Sequence, residues 1–325
     1  MKLYGKQNAA EKLSLFMSSG RMPHAIMFTG DEGAGKRTMA DYTAMLMLCT
    51  RGQSVPCMTC NECGRIEAHI HPDVVYPLQK MTGGKYNIDD MVSFITSCNT
   101  LPNDSPFRVA IFENADTMNL SCQNALLKFI EEPLRFNRFI FTVSDKSRIL
   151  ETIFSRVAEI KISPAEIKEC TAALAERGIA PDEAEKLSRT FGGNIGKCLT
   201  AHENEGALTL LKISEKIALA AANNREYDCM AGLCKAKNRE ELGVILKNLT
   251  DIFGNAAAVR AGGRPYGCFS SETEEISRLL SLKKASVLYD TVLGMLREID
   301  FNPNVQLAAA ACCAKMFDAA ENAEK

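Results

Sequence analysis

Residues 25–36 read Ala-Ile-Met-Phe-Thr-Gly-Asp-Glu-Gly-Ala-Gly-Lys, an apolar run followed by a glycine-rich loop. The run 25–29 predicts a buried parallel strand, and the apolar stretch 39–48 predicts the helix that follows the loop. Backbone N–H groups at glycines surround phosphate oxygens, and Lys36 would neutralise their charge. The glycines of the loop are Gly30, Gly33 and Gly35. This stretch therefore predicts an α/β parallel-sheet fold with a phosphate-binding loop.

The residue after the loop lysine departs from this pattern. Phosphate loops carry Ser or Thr there because the hydroxyl holds Mg²⁺, whereas this chain has Arg37. Thr38 stands one residue too late, and one residue on a helix is a rotation of roughly 100°. We therefore predict a degenerate nucleotide site that lacks its metal ligand, with weak binding of ATP or ADP left open.

Composition places the chain among ordinary globular proteins. It has 325 residues, of which 46% are hydrophobic and 24% charged, enough for two or three domains. A net charge of −2 excludes a strongly basic polyanion binder, so any DNA contact must be local or shared with partners. Without an apolar run of roughly 20 residues or an apolar signal core, we expect a cytoplasmic protein with no membrane contact. Thirteen cysteines, an odd number, argue against a disulfide framework.

The pattern along the chain predicts three domains. Residues 1–162 alternate strand-like and helical segments, as a parallel sheet covered by helices requires. The predicted strands are 25–29, 73–77, 108–113, 138–144 and 158–162. Residues 163–203 predict a helical lid domain, with helices at 165–177 and 181–190. Residues 204–325 predict an all-α domain, with breaks at 223–224, 262–265 and 302–303.

Four cysteines are closely spaced in the sequence, Cys49, Cys57, Cys60 and Cys63. The last three form a CxxCxxC pattern, in which each turn aims its sulfurs inward, and a fourth ligand would complete a tetrahedral Zn²⁺ shell. Cys49 is the predicted fourth ligand, with His69 or His71 as the alternative and a loop without metal as another. Four protein ligands leave no open position, so the predicted zinc is structural.

The predicted strand 108–113 ends in Glu113 and Asn114. ATPases carry an acidic pair at this position, Asp for Mg²⁺ and Glu for the attacking water. The amide of Asn114 cannot act as a general base, a role worth about 10²–10⁴ in rate. Taken alone, the pair could be an ordinary polar strand end. Together with the missing hydroxyl at Arg37, it predicts negligible hydrolysis.

These segments together resemble the clamp-loader subunits of bacterial DNA polymerase III. They stand in the family's order along about the first 160 residues, and 192–197 extends the likeness into the second domain. The matching segments are 20–30, the glycine loop, the cysteines, 113–116, 124–133 and 154–157. Within the family, the chain is most similar to the delta-prime type. The tau/gamma motor would show a hydroxyl after Lys36, an acidic pair, and an Arg near Gly196.

The resemblance implies an AAA+ module, a helical lid and a helical oligomerisation collar. It also implies that Arg156 is an arginine finger that reaches the ATP of a neighbouring subunit, because a guanidinium offers bidentate donors to γ-phosphate oxygens. A surface arginine that binds helix carbonyls is the alternative. Lys128, Glu131 and Glu132 share a predicted ion-pair face, which the family places near primer-template DNA.

The implied function is that of a non-hydrolysing member of a clamp-loading ring. The implied partners are tau/gamma and delta subunits, the sliding clamp, and primed DNA through the assembled ring. By the same resemblance, DNA polymerase activity lies in another subunit. The competing hypothesis is an active clamp-loader ATPase, which the residues at Arg37 and Asn114 disfavour. A zinc-dependent P-loop kinase or regulator would need an acceptor site that the sequence does not display.

Overall fold

The computed structural model describes residues 1–80, 85–203, 205–263, 271–298 and 304–324. The chain forms two compact units, Met1–Ala165 and Glu166–Lys325. The predicted division into three domains, with boundaries after residues 162 and 203, stays a prediction beside this two-part division. None of the helices in the described ranges combines the length and the apolar character that a membrane crossing requires.

The first unit is a parallel sheet with helices. Its strands are β1 (Ala25–Thr29), β2 (Val74–Val75), β3 (Arg108–Phe112), β4 (Asn137–Val143) and β5 (Ala158–Lys161). Its helices are α1 (Gln7–Ser18), α2 (Lys36–Leu48), α3 (Asn61–Glu67), α4 (Pro77–Lys80), α5 (Ile88–Ser97), α6 (Leu120–Glu131) and α7 (Glu151–Phe154). Single turns of 3₁₀ helix follow β3 and β4.

The strands lie in the order β2-β3-β4-β1-β5, and every neighbouring pair is parallel. Strands β1 and β3 are buried along their whole length, as a sheet covered on both faces requires. Alternate residues point to opposite faces, so one sheet supplies two separate cores. One core contains Ile26, Phe28, Val109 and Ile111, and the other contains Ala25, Met27, Ala110 and Phe112. The carboxyl ends of β1, β3 and β4 meet at one edge of the sheet.

Two predicted boundaries in the first unit are wrong for identifiable reasons. The strand predicted at 73–77 is only Val74–Val75, because Pro77 begins α4 and Asp73 uses its side chain to hold another segment. Proline suits the first position of a helix, where its missing N–H is not needed. Helix α2 begins at Lys36 rather than at residue 39. Strand β1 matches its prediction, β3 and β5 each end one residue earlier, and β4 is shifted one residue toward the N-terminus.

Every regular element in the described residues of the second unit is a helix. Its helices are α8 (Ile167–Ala175), α9 (Pro181–Thr190), α10 (Ile195–Glu203), α11 (Glu205–Ala222), α12 (Glu226–Leu233), α13 (Arg239–Arg260), α14 (Ser271–Leu279), α15 (Leu282–Glu298) and α16 (Val305–Glu324). Helix α13 packs against α11, α14 and α15. Its buried residues recur at helical spacing and include Leu242, Ile245, Leu249, Ile252, Phe253 and Ala256.

The predicted helix breaks have mixed outcomes. The break at 223–224 separates α11 from α12, and residues 262–263 follow the end of α13. Arg264, Pro265, Asn302 and Pro303 lie outside the described residues. The helix predicted at 165–177 is shorter, because Glu166 has an extended backbone and serves as the N-cap of α8.

Asp73 ties a distant segment to the sheet. Its buried carboxylate accepts hydrogen bonds from the backbone N–H groups of Asn103 (2.6 Å), Asp104 (2.8 Å) and Ser105 (2.9 Å). Burial opposes ionisation of this carboxyl, but the backbone donors outweigh burial and hold the pKa of Asp73 below its ordinary value. The carboxylate is therefore a structural anchor rather than a candidate acid.

Asp73→Asn is expected to lower the free energy of unfolding by about 2–3 kcal/mol near neutral pH, because charged hydrogen bonds to backbone N–H groups are lost. Since the folded-state pKa is depressed, this contribution is present above about pH 3.9 and disappears as the pH falls through the folded-state value. Urea unfolding of both proteins at several pH values measures the difference. Asp104→Asn, at an exposed partner of Arg65, should change little. A difference between wild type and Asp73→Asn that persists in acid would contradict the assignment.

Candidate functional site

The glycine-rich loop joins β1 to α2 at the carboxyl edge of the sheet. Gly30, Gly33 and Gly35 have φ values of 151°, 78° and 89°, which favour glycine. A Cβ atom on Gly30 would lie 2.1 Å from the carbonyl oxygen of Ile162, so only glycine fits there. No side chain of the described residues caps the start of α2. The first backbone N–H groups of that helix are therefore placed as in an anion-binding loop.

Lys36 turns back onto the loop from the first position of α2. The side chain is buried, and its Nζ donates to the carbonyl oxygens of Gly30 (2.7 Å) and Asp31 (2.8 Å) and to Oγ of Ser144 (2.9 Å). Any phosphate oxygen would have to compete with these acceptors for the ammonium group. Ser144 had no predicted role, although this residue lies at the carboxyl end of a predicted strand on the same edge of the sheet.

Arg37 forms an ion pair with Glu113, with 2.7 Å between Nη1 and Oε1. Its guanidinium also lies 5.3 Å from the ring centroid of Tyr76. The Tyr76 hydroxyl donates to Oδ1 of buried Asp41 at 2.7 Å, and Nδ1 of His69 lies 2.8 Å from the same hydroxyl. Burial raises the pKa of both carboxyls, Asp41 and Glu113, and the positive charge of Arg37 acts in the opposite sense.

Asn114 follows Glu113 at the end of β3. Its backbone is in the left-handed region, with φ 47°, a conformation that asparagine tolerates better than most residues. Its backbone N–H donates to Oγ1 of Thr142 at 2.9 Å, and its side chain is exposed. The carboxyl edge therefore presents an amide beside the buried carboxylate of Glu113.

Arg156 lies just after α7 with its side chain 39% exposed. Its Nε is 2.8 Å from Oε1 of Glu131, which belongs to the predicted ion-pair face. Its Nη1 donates to the carbonyl oxygen of Thr152 (2.8 Å) and to Oγ of Ser155 (3.0 Å). The contact with a helix carbonyl matches the alternative interpretation of this residue, while its exposure leaves the guanidinium accessible from outside the unit.

The four predicted cysteine ligands, Cys49, Cys57, Cys60 and Cys63, converge, and their sulfur atoms lie within 4.8 Å of one another. Sγ of Cys49 is 3.9 Å from Sγ of Cys60. A tetrahedral Zn²⁺ shell with Zn–S bonds of about 2.3 Å places its sulfurs about 3.8 Å apart, so the cluster fits a zinc ion. The cluster could therefore bind a metal ion through sulfur ligands alone.

Backbone N–H groups donate hydrogen bonds to sulfur atoms of this cluster. The N–H of Gly52 donates to Sγ of Cys49 at 3.1 Å, and a Cβ on Gly52 would lie 2.0 Å from the carbonyl oxygen of Val55. Burial opposes ionisation of Cys60, but hydrogen bonds, led by the backbone N–H of Cys63, lower the pKa of Cys60 to about 6. Since metals bind the thiolate form, the lowered pKa favours metal binding at Cys60, whereas burial raises the pKa of Cys63 in the same cluster.

The two histidines that were alternatives to Cys49 lie outside the cluster. His69 contacts the Tyr76 hydroxyl, as described above. His71 is buried, with Nε2 2.7 Å from Oε2 of Glu62, and its Nδ1 accepts from the backbone N–H of Asp73 at 3.1 Å. Each imidazole is thus engaged by its own neighbours, and Cys49 is the fourth member of the cluster.

A parallel sheet ordered β2-β3-β4-β1-β5, with a glycine loop between its first strand and the next helix, defines a P-loop module of the AAA+ class. The chain continues from this module into a C-terminal region whose described elements are all helices. The predicted fold class is confirmed.

Comparison with known proteins shows which AAA+ proteins this chain is similar to. A family model described as DNA polymerase III, delta subunit, matches residues 5–166. The chain is 28% identical over 295 residues to DNA polymerase III subunit delta' of Bacillus subtilis, with 88% of both chains covered. It is 29% identical over 171 residues to the gamma subunit of Buchnera aphidicola, covering 52% of this chain and 45% of the relative. A gamma subunit-related structure from Thermotoga maritima aligns at 15% identity with a TM-score of 0.44, covering 95% and 98% of the two chains.

These matches support a clamp-loader subunit of DNA polymerase III, of the delta-prime type. The resemblance inferred from sequence motifs is therefore confirmed.

Proposed function

We propose that this chain is a non-hydrolysing subunit of a replicative clamp loader, which donates Arg156 to the ATP of a neighbouring motor subunit. The match to the DNA polymerase III delta subunit model and the similarity to the delta' subunit of Bacillus subtilis support the clamp-loader assignment. The proposed partners are tau/gamma and delta subunits, with the sliding clamp and primed DNA engaged through the assembled ring. The proposed location is the cytoplasm. DNA polymerase activity would lie in another subunit of the holoenzyme.

The non-hydrolysing role rests on one observation, the ion pair between Arg37 and Glu113. In a hydrolysing P-loop, these two positions hold the metal ion that neutralises charge on the phosphates. In this chain, the side chains of Arg37 and Glu113 neutralise each other instead. Asn114 adds a second deficit, since a carboxamide cannot take a proton from the attacking water. Two separate parts of the hydrolysis reaction therefore lack their side chains.

The proposed role of Arg156 is supported by its position and exposure. The guanidinium lies at the end of α7, held by Glu131 and by a carbonyl oxygen on that helix. An exposed ion pair is weak, so the arginine can exchange Glu131 for a phosphate group at small cost. A phosphate of a bound nucleotide would accept two parallel N–H donors, which strengthens the exchange.

Two cofactor assignments complete the proposal. The sulfurs of Cys49, Cys57, Cys60 and Cys63 would hold one Zn²⁺ with no open position, which suits a structural ion. The degenerate loop formed by Gly30, Gly33, Gly35 and Lys36 would bind ATP or ADP weakly. Weak binding is expected because Lys36 must leave two carbonyl oxygens of its own loop before it meets a phosphate.

The purified chain alone is expected to show no ATP turnover above background, because the hydroxyl that would bind the metal ion and the general base are both missing. The measurement is phosphate release, with Lys36→Ala as the matched control. Restoring turnover should require Arg37→Thr and Asn114→Glu together, since each supplies a different part of the reaction. A hydrolysis rate in the wild-type chain that Lys36→Ala abolishes would overturn the non-hydrolysing role.

A further inference from the structure

The ion pair at the phosphate loop occupies the two positions that serve a divalent cation in other P-loops. One position follows the loop lysine and normally supplies a hydroxyl, and the other is the acidic residue at the end of a neighbouring strand. In this chain, the first is Arg37 and the second is Glu113, and they bind each other at 2.7 Å. The two side chains are thus in direct contact, which leaves no space for an ion between them.

These residues do not fit Mg²⁺. This ion requires octahedral oxygen ligands at about 2.0–2.1 Å. Arg37 offers only nitrogen donors, and its Nη1 sits against one carboxylate oxygen of Glu113. A divalent cation on Glu113 would also lie beside the guanidinium, and like charges at such a distance repel strongly in a partly buried site.

The guanidinium is held by more than one contact. It lies over the ring of Tyr76, whose hydroxyl donates to the buried carboxylate of Asp41. The titratable groups around it are therefore Glu113, Asp41, Tyr76 and His69. Glu113 is buried, so its carboxylate needs a permanent positive partner, and withdrawing Arg37 would leave a buried charge uncompensated.

We propose that Arg37, paired with Glu113, replaces the divalent cation of this phosphate loop. The loop therefore excludes Mg²⁺ and binds nucleotide with the same affinity whether or not Mg²⁺ is present. The positive charge that other P-loops recruit from solution is built into this chain as a guanidinium. Reinstating the hydroxyl at position 37 should both free Glu113 and restore an oxygen ligand. The inference rests on the proposed weak nucleotide binding at this loop, and it does not depend on Arg156.

The test is a titration of the full chain with a fluorescent ADP analogue, with Mg²⁺ present and with Mg²⁺ omitted. Omission is preferable to a chelator, because a chelator would compete for zinc at the cysteine cluster. In the wild-type chain, we expect Mg²⁺ to leave the titration unchanged. In Arg37→Thr, we expect Mg²⁺ to strengthen binding by about tenfold or more, which corresponds to about 1.4 kcal/mol.

Two further variants separate the metal effect from a change in charge. Arg37→Ala removes the guanidinium without adding a hydroxyl and should gain less from Mg²⁺ than Arg37→Thr. The double change Arg37→Thr with Glu113→Gln should lose the gain, because the carboxylate ligand is absent. Thermal unfolding of each variant with Mg²⁺ alone gives a second readout and verifies folding. Binding by the wild type that requires Mg²⁺ would overturn the proposal, as would an Arg37→Thr protein that ignores Mg²⁺.

Discussion

Arg156→Ala is expected to lower ATP hydrolysis by the neighbouring motor subunit by as much as ~10³-fold at the one site that the arginine reaches. The guanidinium would stabilise charge that develops on the transferred phosphoryl group, and alanine leaves that charge unneutralised. A ring with several active sites would lose less of its total rate. Clamp loading by a ring reconstituted from this chain and its partner subunits is therefore the more sensitive measurement.

The same experiment needs variants that separate a finger from a structural surface arginine. Arg156→Lys should behave like alanine, because a point charge cannot reproduce a two-pronged contact. Arg148→Ala is a matched control, since Arg148 is also exposed and lies 3.7 Å from a carboxylate oxygen of Asp145. All three proteins should fold and join the ring, because one exposed arginine adds little to a large interface. Normal loading by both Arg156 variants would make Arg156 a structural residue.

The purified chain is expected to carry about one Zn²⁺, and Cys60→Ser should both lose that metal and unfold far more readily. Cys60 is buried within the cluster, so its loss removes a ligand and leaves a polar hydroxyl among sulfurs. Loss of a structural metal typically lowers the free energy of unfolding by more than about 4 kcal/mol. For a domain of this size, this decrease corresponds to a fall in melting temperature of roughly 8–16 °C. Elemental analysis and thermal unfolding measure the two effects.

Three further variants test whether zinc binding depends specifically on the four cysteines of the cluster. Cys98→Ser makes the same substitution at another buried cysteine of the first unit and should retain zinc. Cys49→Ser should lose zinc, whereas His71→Ala should keep it, because the His71 imidazole contacts Glu62 instead of the cluster. Full zinc content in Cys60→Ser, or unchanged stability on losing the metal, would refute a structural role for the ion.

Sequence reasoning succeeded where function depends on short spacing. The apolar run before Gly30 predicted β1, and its burial along the whole strand follows from helices on both faces of the sheet. The CxxCxxC spacing predicted a sulfur cluster, because each turn brings two sulfurs together with little help from the rest of the fold. Arg37 and Asn114 could likewise be identified as departures, since each occupies a defined place in a motif.

Sequence reasoning failed where partners come from distant parts of the chain. Ser144 meets Lys36 only because β4 lies beside β1 in the sheet. Tyr76 reaches Asp41 across 35 positions, a separation that no local pattern records. Asp73 was assigned to a strand, although its carboxylate holds the backbone of a segment 30 residues later.

The class of fold, the glycine loop and the missing hydroxyl follow from the sequence alone, because they depend on local periodicity and fixed spacing. The folded chain was needed to reveal that Arg37 binds Glu113 and to choose Cys49 over the histidine alternatives as the fourth member of the cysteine cluster. Both outcomes depend on which strand ends and loops become neighbours in the folded sheet. Charge pairing and ligand selection act over a few ångströms, and only the packed chain sets those distances.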